Sequence, residues 1–283
     1  MALESLISPL EGEEHPWLVF WMGIAFSTLA IMLAVWLFPK YASLFFVFFL
    51  VMSVTPLFYM TLGFEENKDM KTEDEGRLIK EHYKALRFLM YMFYGVTIAV
   101  AIAYIVIPSS WTTAIFGVQQ ETISSINGQM TGSAVQAFNS FLSIFFNNFR
   151  VVLFILLFSF VFGVGSIFIL IWNASVIGVA MGNYFRTKLA MFAASVGMTG
   201  AATYLKVSGL SILRYAIHGI PEVAAYFTAG LAGGILSVAI IQRHILTKQG
   251  QTILYDSSDL IVLSILFLFV AALLEVYVTP VFY

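Results

Sequence analysis

Seven stretches of this chain run for about twenty residues with almost no charge: residues 17–38, 41–62, 88–107, 151–172, 189–205, 223–241 and 260–279. A bilayer core about 30 Å thick is crossed by about 20 helical residues at about 1.5 Å each. Lipid offers no hydrogen-bond partner, so a crossing backbone must satisfy itself as a helix or a closed barrel. The runs are continuous rather than alternating, which excludes the barrel. The expected fold is therefore all-α, a polytopic transmembrane helical bundle forming one integral membrane domain over residues 1–283. The count is seven spans, or six if 189–205 is re-entrant, since that segment is short and rich in Ala, Gly, Ser and Thr.

Composition narrows the function classes. Hydrophobic residues make up 60% of the chain and charged residues 11%, against about 25% charged in a soluble domain. With 14 Lys and Arg against 16 Asp and Glu there is no basic excess, so no nucleic-acid partner is expected. The chain has no Cys, which excludes disulfides, zinc–thiolate sites, iron–sulfur clusters and Cys nucleophiles. The first residues are acidic (Glu4, Glu11, Glu13, Glu14) and lack the basic start of a secretory signal. Leu3, Leu6, Ile7 and Leu10 sit at helical spacing, as in a short surface helix or a frayed tail.

Lys and Arg, not net charge, set membrane orientation. Residues 63–87 carry Lys68, Lys71, Arg77, Lys80, Lys84 and Arg87, whereas 109–149 carry none. The first segment is thus expected in the cytoplasm, as a charged, solvated helical hairpin. Seven spans would put Arg186, Lys188, Arg243 and Lys248 on that side too, with Lys40, Arg150, Lys206 and Arg214 opposite. The N-terminus is then cytoplasmic and the C-terminus outside, in a multi-pass protein of the cell membrane. Segment 108–149 is read as an outer interfacial element. Its Phe138, Phe141, Leu142, Phe145 and Phe149 form the apolar stripe of an amphipathic helix, whose partner is lipid or neighbouring spans.

Polar groups inside a membrane are costly, so each is a candidate for function. Asn147, Asn148 and Arg150 open the fourth expected span, and His218 and Glu222 precede the sixth. Gly219 and Pro221 are expected to break the helix there, placing Glu222 in a favourable first turn. Arg150 and Glu222 would open parallel helices at one depth and are expected to pair. Asn173 and Asn183 mark the inner end of the fourth span, and Glu275 is expected to reach the outer interface. His218 and Glu222 are only two ligands, so no metal, no cofactor and no catalytic residue is expected. Gly163, Gly165, Gly178, Gly182, Gly230, Gly233 and Gly234 include two GxxxG spacings that let helix backbones approach closely.

The run Asn148-x-Arg150, Gly163-x-Gly165, Trp172-Asn173-Ala-Ser-x-x-Gly178, His218-Gly219-x-Pro221-Glu222 and Gly230-x-x-Gly233-Gly234 resembles the stage II sporulation protein M family. The likeness covers residues 141–242, and the N-terminal hairpin resembles archaeal members. It implies a polytopic membrane protein with no assigned catalytic activity, one that in endospore formers works with membrane-anchored wall-degrading partners. Three functions are open. The first is a non-enzymatic scaffold that self-associates, for instance as a dimer, and recruits a protein partner. The second is a small-solute or ion transporter with a site near Arg150 and Glu222. The third is an intramembrane hydrolase, which lacks a nucleophile and a third ligand.

Overall fold

The computed structural model describes residues 7–71, 75–127, 134–196, 200–247 and 250–282. The described residues are helical apart from short turns. The helices are α1 (Pro9–Glu14), α2 (Pro16–Leu37), α3 (Ala42–Lys71), α4 (Glu75–Val106), α5 (Ser109–Asn127), α6 (Ala134–Phe162), α7 (Ser166–Val196), α8 (Ala201–Ile241) and α9 (Gly250–Leu273). Seven of them are long and apolar enough to cross a membrane. Local chemistry sets their ends. Ser8 caps α1 in a reciprocal box with Glu11, whose carboxyl is held below its usual range by those bonds. Proline supplies the fixed φ at the start of α1 and α2, and Pro39 opens the one-turn 3-10 helix between α2 and α3.

Helix directions follow from side-by-side contacts. α7 runs parallel to α4, because Gly178 abuts Thr97 and Val100 while Gly182 abuts Ala101 and Tyr104. α6 runs parallel to α8, because Gly230 lies against Ile155 and Gly233 against Leu156 and Ser159. α9 returns antiparallel to α8, with Ser264 Oγ donating to the Ala225 carbonyl at 2.8 Å. One end of the bundle carries Glu65, His82 and Asp256 and is called the charged end below. At the opposite end the Arg186 guanidinium caps α4, donating to the carbonyls of Ile105 and Ile107.

Three expectations fail at α6, α7 and α8. Residues 151–172 are not one span: α6 stops at Phe162 and α7 restarts at Ser166. Gly163 makes the turn in the left-handed region (φ 64°), and its neighbour Gly165 faces the Phe158 carbonyl. These two glycines therefore form a connection and do not sit halfway down a helix. Residues 189–205 are not a span either. Residues 189–196 close α7 and 201–205 open α8, two segments held together by Phe185 on Tyr204 and by Lys206 over Phe192. Gly197 lies outside the described residues. Finally, Gly219 and Pro221 do not interrupt α8, which continues through both. Its 41 residues extend about 61 Å, twice the hydrocarbon thickness.

The new segmentation moves charges. Arg186, Lys188 and Asn183 lie at the end opposite Arg243, not beside it, since Asn183 Oδ1 accepts from the Tyr104 hydroxyl near the end of α4. Lys and Arg are then divided almost evenly between the two ends. Lys248 and residues 72–74, the tip of the 63–87 hairpin, lie outside the described residues, as do Glu4, Leu3 and Leu6.

The 108–149 segment is also rearranged. Residues 137–149 belong to the α6 span itself. Phe141 and Phe145 stack on each other and meet Phe269 of α9 edge-on, so the Phe stripe is a helix-packing face. α5 covers the bundle instead. It kinks at Phe116, which packs on Phe46 and Tyr104, and its buried Gln119 donates to the Ser43 carbonyl at 3.1 Å.

Candidate functional site

Two polar clusters stand along α8 and α9: one where α9 begins and α8 has just ended, the other midway along α8 and just past the end of α9. The first was not visible in the sequence. Glu65 follows the apolar run of α3 and His82 precedes that of α4, so both were read as parts of a solvated hairpin. Instead Glu65 and Glu66 are fully buried and His82 is 2% exposed. Asp256, which precedes the apolar run at 260–279, is buried one turn and a half into α9, which starts ten residues earlier than that run. His82 bridges three helices: Nδ1 lies 2.8 Å from Glu65 Oε2 and Nε2 lies 2.6 Å from Asp256 Oδ2. A neutral imidazole donates from one nitrogen only, so satisfying both contacts needs a proton on each ring nitrogen or one on a carboxyl.

The chain of charges continues outward. Lys68 Nζ lies 2.7 Å from Glu65 Oε1 and 2.7 Å from Glu13 Oε1 of α1. Burial pushes the Glu13 carboxyl up, and Lys68 pulls it back only partly. Arg87 donates to the Glu13 carbonyl at 2.9 Å, and His244, beyond α8, pairs with Glu66. These contacts tie α1, α3, α4, α9 and the turn after α8 into one end of the bundle.

The second cluster contains two of the polar residues grouped in the sequence, His218 and Glu222, joined by Glu275. His218 and Glu222 lie one turn apart on α8, facing the C-terminal part of α9. Glu275 sits there, half-buried, in a π-helical turn, Leu274–Val278, just past the end of α9. The three offer one ligand atom each, all within 4.8 Å of one another. Glu222 Oε1 accepts from the Tyr226 hydroxyl at 2.7 Å, and His218 Nδ1 lies 3.2 Å from Thr279 Oγ1. The expected Arg150–Glu222 pair is not formed: Arg150 and Asn147 are exposed on α6, and Asn148 is half-buried. Asn173 bonds back to the Ile169 carbonyl of its own helix.

Between the clusters α8 is closely packed and mostly apolar, with Thr228 and Ser237 as its buried polar residues. Val223, Ala225, Tyr226, Ala229, Leu231, Ala232 and Ile235 are all buried, and Phe227 meets Phe93 edge-on. The glycines bring the neighbouring backbones in. A Cβ on Gly233 would fall 2.8 Å from Ser159 Cβ, and one on Gly234 would overlap Leu62. A side cavity of about 230 Å³ opens between α4, α7 and α8, lined by apolar residues such as Phe93, Ile98, Ile177, Ile212 and Val223.

The stage II sporulation protein M family profile matches residues 18–280, well beyond the 141–242 likeness read from the motifs. No curated protein and no solved structure matches the chain.

Proposed function

We propose, because the chain belongs to the stage II sporulation protein M family, that it is a non-enzymatic scaffold of the cell membrane, holding further copies of itself and a second membrane protein. The observation that supports this reading is the packed apolar middle of α8, which separates the two polar clusters. A conduit for ions or small solutes needs a polar route that groups along it can line. The lipid-facing surface suits helix partners: α6 exposes Phe154, Leu157, Phe158 and Val161, and α2 exposes Leu29, Met32, Leu33 and Trp36. In this reading the charged end, with the N-terminus, faces the cytoplasm, because residues 63–87 carry six Lys and Arg, more than any other segment between two spans.

Cross-linking in native cells, followed by purification of the tagged chain and mass spectrometry, is expected to recover other copies and at least one further membrane protein in comparable amount. Recovery of the chain alone would contradict the scaffold. The same cells report orientation, because the chain has no native Cys. An impermeant maleimide should label Ser124→Cys in intact cells and leave Lys84→Cys unlabelled until lysis, both positions being exposed. The reverse pattern would invert the assignment.

A further inference from the structure

The geometry points to a divalent transition-metal site formed by His218, Glu222 and Glu275, with zinc as the ion it fits best. The sequence offered two ligands on one helix face, too few for a site. The fold brings the third from 53 residues further along. One imidazole nitrogen and two carboxylates make a mixed nitrogen–oxygen set, which suits zinc-like ions, whereas magnesium and calcium favour oxygen alone.

Several features besides the residue types converge. Tetrahedral zinc with ligands at about 2.0–2.2 Å has ligand–ligand edges of about 3.4 Å. The observed spacing, up to 4.8 Å, closes to that by side-chain movement of about an ångström and a half. Glu275 stands in a π-helical turn, a rare element that gathers at functional positions. The outer contacts are of the orienting kind: Tyr226 holds one oxygen of Glu222 and Thr279 holds Nδ1 of His218, which leaves Oε2 and Nε2 for an ion. Two carboxyl groups therefore face each other and an imidazole at a half-buried place. A dication held between them would give both carboxyls, in their ionised form, a common partner. It would also tie α8 to the C-terminal residues of α9, and it would keep a fourth position for water.

The test uses the full chain in detergent, stripped with chelator, incubated with one equivalent of zinc and desalted. Metal analysis is expected to find about one zinc per wild-type chain and at least tenfold less in the His218→Ala/Glu275→Gln double variant. Zinc should also raise the wild-type melting temperature and leave that of the near-isosteric Glu275→Gln unchanged. Wild-type chain that retains no zinc overturns the site whatever the variants do. So does equal retention by the double variant, which would place the ion elsewhere, for instance at Glu66 and His244. Neither result bears on partner capture, so this inference and the scaffold reading fail separately.

Discussion

His82→Leu is expected to lower the unfolding free energy by about 3–5 kcal/mol, because it removes the imidazole that bridges two buried carboxyls and strands that of Asp256. Glu65 keeps Lys68, whereas Asp256 loses the imidazole that it pairs with. Adding Asp256→Leu to His82→Leu removes the stranded charge, so the double variant should recover at least half of the loss. The measurement is unfolding in mixed micelles, read as a double-mutant cycle. A cost below about 1 kcal/mol for His82→Leu would mean that water reaches this end and that the ties between α3, α4 and α9 are weak.

The second large effect is expected at Gly178. A Cβ there would lie 2.7 Å from the Thr97 carbonyl oxygen and 2.8 Å from Val100 Cβ, both fixed on α4. α7 can accept it only by moving away from α4. Gly→Ala in an exposed helix gains about 1 kcal/mol from propensity. At Gly178 the overpacking cost, about 1–3 kcal/mol and more for a larger side chain, should reverse the sign. Gly178→Leu is therefore expected to abolish a cooperative melt, and Gly178→Ala to lower the melting temperature. Gly209→Ala, on α8 where nothing stands within 4 Å, should raise it. Equal responses at the two positions would refute close α4–α7 packing.

What could be read in the sequence, and what could not, has physical reasons. The spans of α2, α3 and α4 were legible because each apolar run is bounded by proline or charge. The α6–α7 turn was not, because Phe162-Gly163-Val164-Gly165 is itself apolar and a left-handed glycine leaves no polar mark. The run was long enough for one helix, so length alone misplaced the boundary and pushed the next span onto the hairpin tip. Pro221 was over-read. In water a proline ends a helix because freed backbone groups find solvent. In a packed bundle they have no such partner, so α8 continues. Among candidate site residues, His218 and Glu222 were visible from their four-residue spacing. Glu275, and the contacts of His82 with Glu65 and Asp256, join positions 17 to 174 apart in sequence, which no local pattern reports.

The central proposal is that the two polar clusters are separated by a closely packed, mostly apolar stretch, so that the chain would hold partners and offer no path to ions or solutes. Purified chain in proteoliposomes, exposed to proton and zinc gradients, tests this directly. The predicted result is a leak equal to that of protein-free vesicles. Saturable uptake that Glu222→Gln or His82→Gln abolishes would contradict it.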